Sequence, residues 1–440
     1  VDIAFVYPAF ERHAEAHPEL LECVPANEYI GPPSLGIASV AAATPPGHSM
    51  RFIDDRVDRF DPDKEEADVF ALSFFTPAAT RGLEIADELR ARGKTVVAGG
   101  IFPSKMPDVV AEHVDAVVVG EGEAAWAELV ADLEKGELKP RYEKPVDFAT
   151  VKPPRLDLYF GNERDGHRPD DYPLQISRGC PLQCSACVLP SMMGRKMRFH
   201  RDDYLVDTVK QFAAAGKWMS LTEDTSVTFA YGARRKFRKF LDLVLELQAQ
   251  GIDAKFSYLG ISMPMILHLD EDLLAKLRQT GMDRFYLVGG FDPITRKAFG
   301  EGDKKAMEKA ERTINRCWEF DLNPYVSFLV GNKTDDEGVF DRMLEFSDRV
   351  NLQLAEFAIS TPYPGTPQWF EYEEEGRIFD YTWKHYNDAN AVFKPHNMSA
   401  ERLQEGYLYL WREFYKNRQA GGGQDGEIKD REYISQTIQF

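Results

Sequence analysis

Cysteine is scarce in this chain, five among 440 residues, and three of the five fall within eight positions. That count and clustering fit a reducing compartment better than a disulfide framework, with the cytoplasm the default expectation. Positive charge is also short. Against 72 Asp and Glu stand 53 Lys and Arg, a formal net charge of -19, so nucleic acid is not expected as a partner, since a phosphate backbone must be met by concentrated positive charge. Arg234-Arg235-Lys236 and Arg195-Lys196-Met197-Arg198 are brief exceptions. No apolar run approaches the roughly 20 residues needed to cross a bilayer, and no basic region precedes Val1 to Pro8, so neither a transmembrane segment nor a signal peptide is expected. What the chain has is 43% hydrophobic residues, with 29 Phe and 18 Tyr. That is ample for two or three buried cores and compatible with a large apolar pocket.

Residues 1–145 alternate short apolar runs with helical periodicity. Ile3 to Tyr7, Met50 to Asp54, Val69 to Ser73, Thr95 to Gly100 and Ala116 to Gly120 read as strands, and Arg81 to Arg92 and Ala124 to Lys135 as helices. An open parallel sheet covered by helices follows, with ligands expected beyond the strand carboxyl ends at Ser73, Gly99, Gly100 and Glu121. Residues 146–172 are rich in Pro and charge and read as an irregular linker. Over 173–375 a second alternating series begins at Leu174 to Ser177. Its later strands are Trp218 to Leu221, Ala254 to Tyr258, Arg284 to Val288, Tyr325 to Leu329 and Leu352 to Ile359. Six strands with intervening helices suit a closed or partly closed barrel, whose sites gather at the carboxyl ends. Residues 376–440 turn to aromatic helices and a glycine run, Gly421 to Gly423, read as a flexible joint.

Between the first two strands of the second series and their helices stands Ser177-Arg178-Gly179-Cys180-Pro181-Leu182-Gln183-Cys184-Ser185-Ala186-Cys187. Pro181 argues against a regular helix through the cysteines, so a wrapping loop is expected. Three thiolates can hold three corners of a four-iron, four-sulfur cluster and leave one iron open. Structural zinc would need a fourth ligand, for which only His200 is near, at a spacing unlike a compact zinc module; packed, inert cysteines are the other bland reading.

The Cys-x3-Cys-x2-Cys signature after a strand that opens a barrel resembles the radical S-adenosylmethionine superfamily. With Ile30 to Gly36, Ala98-Gly99-Gly100, Gly120-Glu121-Gly122-Glu123 and Thr361 to Pro367, the chain is similar to the subgroup with an N-terminal cobalamin-binding-type domain, and to its anaerobic magnesium-protoporphyrin monomethyl ester cyclase branch. The resemblance implies an α/β protein: a Rossmann-like parallel sheet domain, a partial (β/α)6 barrel and a mainly helical C-terminal region. It implies Cys180, Cys184 and Cys187 as cluster ligands, and S-adenosylmethionine as the source of a 5'-deoxyadenosyl radical. It also implies a low-potential electron donor of the flavodoxin or ferredoxin type. Two departures stand out. The Asp-x-His-x-x-Gly motif that puts a histidine under cobalt is absent from Tyr7 to Gly36, where His13 and His17 are expected to face solvent, and Phe102 follows Gly99-Gly100 where a corrinoid needs room. Some members bind cobalamin without that histidine, so the cofactor stays open. Ala186 replaces an aromatic residue that in many members packs on adenine.

Glu223 and Asp224, Ser257, Gly289 and Gly290 are expected to contact S-adenosylmethionine. Tyr258 and Tyr363 are the leading residues for chemistry and substrate contact, with His385 and Tyr386 behind them. The expected activity is hydrogen abstraction from a large apolar, tetrapyrrole- or terpenoid-like molecule, leading to oxidation, cyclisation or rearrangement. The alternative is cobalamin-dependent C-methylation, and the non-enzymatic one is an iron-sulfur electron carrier.

Overall fold

The computed structural model describes residues 1–23, 31–164, 169, 171–222, 231–289, 296–300 and 302–420, with backbone only at 231, 417, 419 and 420. Glu223, Asp224, Gly290 and the glycine run after residue 420 lie outside the described residues.

The first sheet is parallel, built from β1 (Asp2–Tyr7), β2 (Ser49–Asp54), β3 (Val69–Ser73), β4 (Val96–Gly99), β5 (Ala116–Val119) and β6 (Arg141–Glu143), in the order β2-β1-β3-β4-β5-β6. Its strands carry nearly continuous apolar runs because both faces are covered. Side chains alternate between two cores. Phe5, Ala71, Val97 and Val118 face the helices Leu35–Ala43 and Glu123–Lys135, while Val6, Leu72, Ala98 and Val119 face the helix Ala79–Ala91. Chain direction around the sheet reverses between β1 and β3, which is where an open α/β sheet leaves a crevice at its carboxyl edge. Two features were not foreseen, one at the end of the first domain and one within residues 146–172. Arg141–Glu143 pairs with β5 as a sixth strand, and Tyr159 in the turn Asp157–Phe160 donates to Ser34 O at 2.6 Å and accepts from Ala38 N.

The second sheet is also parallel, in the order β14-β13-β12-β11-β10-β7. It comprises β7 (Asp171–Leu174), β10 (Trp218–Thr222), β11 (Lys255–Ser262), β12 (Arg284–Val288), β13 (Asn323–Val330) and β14 (Leu354–Ile359). The expected first strand is displaced. Pairing with β10 ends at Leu174, and Ser177 belongs instead to a small antiparallel hairpin of β8 (Ser177–Arg178) and β9 (Arg198–Phe199). Pro173 lacks an amide hydrogen, which is tolerated on an edge strand. The C-terminal helix Ala400–Ala420 closes the far end: Tyr415 Oη donates to Ala355 O at 2.6 Å and Trp411 Nε1 to Phe357 O at 3.2 Å. One continuous buried cluster runs from Ile3 and Trp126 through the second sheet to Tyr415. No helix among the described residues is long and apolar enough to cross a membrane.

Candidate functional site

The cysteines lie on the loop closed by the β8/β9 hairpin. Gly179 turns the chain into that loop at φ 94°, and a Cβ there would stand 2.4 Å from Lys196 O, so no other residue type fits. Cys180 N donates to Gly194 O at 3.0 Å and Cys187 N to Cys184 O at 3.2 Å. Cys180 is buried, Cys184 and Cys187 half-buried. Two distant segments brace the loop. Gln368 N donates to Ser185 O at 2.9 Å, while its side-chain amide holds Ser360 O and Oγ; from the first domain, Lys105 Nζ donates to Ser191 O at 2.8 Å.

Among the described residues, no three Cys, His, Asp or Glu side chains stand close enough to share one metal ion. His200, the only candidate for a fourth zinc ligand, is stacked between Tyr204 and Phe148 at 3.9 and 4.5 Å, and its ring is held neutral down to about 2 by burial and then by Arg178, Arg201 and Arg198. A set of three soft donors on a wrapping loop, without a fourth, fits a multi-iron cluster in which each thiolate takes a different iron.

Glu121 sits where this hairpin meets the first domain. Arg178 Nη1 donates to Glu121 Oε1 at 3.1 Å and Arg198 Nη1 to Oε2 at 2.7 Å, while Arg178 Nη2 pairs with Glu123 Oε1 at 2.7 Å. Both guanidiniums lie over the Phe148 ring, at 5.4 and 4.7 Å. Arg178 is buried, and its two acidic partners keep it charged against desolvation. Glu121 was expected at a ligand; it lines a cavity and is also held by two arginines.

That cavity, of about 530 Å³, spans the two domains at the carboxyl edge of the first sheet. Its depth is apolar, with Phe5, Ile37, Val40 and Trp126. Ser73, Gly99, Gly100 and Glu121 from one domain and Tyr258 and Met193 from the other, all partly exposed, border it, and the buried Ser220 and Arg178 complete its wall. A Cβ on Gly100, which has φ 101°, would meet Phe74 O at 2.8 Å, so that position accepts no side chain, and one on Gly122 would press on Val40 Cγ2 at 2.8 Å. An apolar interior bordered by glycine backbone fits a large, mainly apolar cofactor such as a corrinoid. Phe102 does not obstruct it: the ring is buried against Phe74 and Trp383, at 6.0 and 5.1 Å.

A second cavity of about 990 Å³ lies beside the first, and Tyr7, Pro32 and Phe75 line both. Its wall holds Tyr363 and Asp388, which hydrogen-bond each other, with Thr361 as Asp388's further partner. Asp388 adopts φ 62°, a left-handed conformation that costs a non-glycine residue of order 1–3 kcal/mol, and burial pushes its carboxyl up to about 7. Arg56 also faces this space but is committed to Asp54 and Gly31 O. The histidines do not face solvent as expected. His13 is half-buried, shares a 2.9 Å hydrogen bond with Tyr407 Oη, and is pushed down to about 4 by desolvation; His17 Nε2 reaches Ala389 O.

The remaining expectations scatter. Ser257 Oγ donates to Met219 O at 3.2 Å and lines neither cavity. Gly289 N closes the strand end by donating to Ser327 O. His385 pairs with Asp380 and Tyr386 Oη with Asp380 O, so both support the fold, and Lys384, Asn387 and Asp388 face the cavity in their place. Inside the second sheet, Tyr286 and Tyr325 both donate to Glu356, the latter at 2.6 Å, an acidic centre not foreseen from sequence. Its signal was the alternation of Tyr286, Tyr325 and Glu356 on three neighbouring strands, which becomes visible only once the register is known.

Residues 29–130 match the B12 binding domain family. The chain is 29% identical over 409 residues to the bacteriochlorophyllide d C-8(2)-methyltransferase of Chlorobaculum tepidum, covering 86% of each chain. It is 26% identical over 392 residues to the C-12(1)-methyltransferase of the same organism, covering 87% of this chain and 82% of that one. Likeness to the cyclase branch is weaker: 24% identity to the anaerobic magnesium-protoporphyrin IX monomethyl ester cyclase of Cereibacter sphaeroides, over 80% of this chain and 60% of that one. In fold, the chain is similar to the radical S-adenosylmethionine methyltransferase TsrM from Kitasatospora setae, in a structure with cobalamin and a 4Fe-4S cluster bound. The TM-score is 0.65 at 18% identity, over 92% of this chain and 84% of that one. By its cysteine signature, by the B12 binding domain match over residues 29–130 and by its fold, the chain is similar to radical S-adenosylmethionine enzymes that carry an N-terminal B12-binding-like domain.

Proposed function

We propose that the protein is a cobalamin-dependent radical S-adenosylmethionine C-methyltransferase acting on a large ring molecule of the tetrapyrrole kind. One observation carries the reading: a single cavity joins the glycine rim of the B12-binding-like domain to Arg178 and Met193, which flank the cysteine loop. A methyl carrier bound in that cavity would lie next to the loop that carries the cysteines. The curated relatives named as methyltransferases support methylation over the oxidation, cyclisation or rearrangement expected first from sequence.

In this reading Cys180, Cys184 and Cys187 hold the cluster, and Ser73, Gly99, Gly100 and Tyr258 border the corrinoid. A cluster and corrinoid bound there supply, respectively, the electron that cleaves S-adenosylmethionine and the centre that carries the methyl group. The protein's own residues position and enclose. Gln368 and Lys105 hold the cysteine loop from two sides. Tyr363 and Asp388 offer polar contacts to substrate in the second cavity, whose other walls include Phe10, Phe75 and Pro32 for a flat apolar body. An external low-potential donor of the flavodoxin or ferredoxin type supplies electrons, and the charge balance favours no nucleic acid partner.

The test uses anaerobically reconstituted protein, S-adenosylmethionine labelled in its methyl group, and a magnesium-free chlorin monocarboxylate as acceptor. Label in the chlorin, together with stoichiometric corrinoid absorbance, is the expected result. An acceptor that is oxidised or cyclised without gaining label would return the first sequence expectation and sink methylation.

A further inference from the structure

Resting on the reading that the first cavity holds a corrinoid and the cysteines a cluster, we propose that Glu121 is a positioning residue that couples the two. It stands at the cavity rim in the Gly120–Glu123 turn after β5. Its two carboxylate oxygens divide between the strands of the cysteine hairpin: Oε1 takes Arg178 on β8 and Oε2 takes Arg198 on β9. Arg198 spends its other nitrogen, Nη2, on Met193 O at 2.7 Å. The next carbonyl along, Gly194 O, accepts from Cys180 N at 3.0 Å. Three polar links therefore lead from the cofactor rim to the backbone of the first cysteine.

The path is short and charged, and it is most enclosed at its Glu121 end, where position is held most firmly. The Phe148 ring lies below both guanidiniums, Glu121 is mostly buried, and Arg178 is pinned on its other side by Glu123 and Gln175. The turn that carries Glu121 runs directly into the helix Glu123–Lys135 and packs at Gly122 against Val40. A ligand that presses on this rim shifts the carboxylate, and with it Arg198, Met193 and the cysteine loop. Coupling of this kind is reciprocal: a loaded cysteine loop fixes the rim in the arrangement the corrinoid binds.

The experiment measures hydroxocobalamin affinity by absorbance in cluster-free and cluster-reconstituted protein, and the resonance of the reduced cluster with and without hydroxocobalamin. In the wild-type protein, the cluster is expected to tighten hydroxocobalamin binding by about tenfold, and hydroxocobalamin to shift the cluster resonance. Glu121→Gln should still take up both, with the tenfold factor reduced toward one and the resonance insensitive to hydroxocobalamin. Arg198→Lys, which keeps the charge but cannot hold Glu121 and Met193 O together, should behave alike and serves if Glu121→Gln does not fold. Independent binding in the wild type, or full coupling retained in the folded variant, overturns the proposal while leaving methylation intact. Failure of the wild-type protein to bind hydroxocobalamin at all overturns the functional reading and the coupling together.

Discussion

At Gly179 a single hydrogen atom decides whether the cysteine loop can close. A methyl group there would drive into Lys196 O and the backbone would still have to hold φ 94°. Gly179→Ala is therefore expected to cost about 1–3 kcal/mol in local strain and to lower iron uptake on reconstitution, measured as iron per chain against a cysteine-to-alanine control. Asp388 makes a different statement. Its folded carboxyl titrates near 7, above its unfolded value, so the stability it contributes is full below about 4 and is lost as pH rises toward 7. Asp388→Asn removes that dependence. The variant's thermal midpoint, relative to wild type, should climb between pH 4 and 7 and level off above; a constant difference across that range would show that the carboxyl is not held protonated. Of the residues named from sequence, Tyr363, Tyr258, Ser73, Gly99, Gly100 and Glu121 line one cavity or the other. Asp388 was not named, because an aspartate between Asn387 and Ala389 has no local pattern to distinguish it from a surface turn.

The hairpin that carries the cysteines is two residues wide on each strand, too short to be stable by its own backbone pairing. Its support comes from charged side chains reaching across the domain boundary. Arg178→Met leaves Glu123, and one oxygen of Glu121, buried without that partner, an arrangement that typically costs 3–5 kcal/mol; a fall in the thermal midpoint of cluster-free protein checks this, and an unchanged midpoint would show the network to be solvated. Sequence periodicity located β10, β12 and the helices Ala79–Ala91 and Glu123–Lys135 within a residue or two, since strand and helix periods are local properties. It misplaced the strand before the cysteines, where the apolar run Leu174 to Ser177 is split between two sheets, and it missed β6, whose Arg141-Tyr142-Glu143 has one apolar residue and pairs only because β5 offers an edge.

Across the whole molecule the two sheets and the C-terminal region share one core. His13 and His17 meet Tyr407 and Ala389 from opposite ends of the chain, and Leu403, Tyr407, Trp411 and Phe414 are fully buried in the helix Ala400–Ala420. Deleting residues 376–440 uncovers that core, so the shortened chain is expected to lose cooperative unfolding of both sheets, seen as a broadened or split calorimetric transition beside the single one of the full chain. By itself the sequence determined the alternating α/β architecture, the cysteine loop and its soft donor set, because each is written in neighbouring residues through periodicity, turn chemistry and spacing. Only the tertiary structure decided that Glu121 answers to Arg178 and Arg198, that Phe102 turns away from the cofactor rim, and that Tyr363 meets Asp388. Those partners come from segments tens to hundreds of residues apart, and which of many acids, bases and rings meet is settled by how the two sheets pack and not by any local pattern.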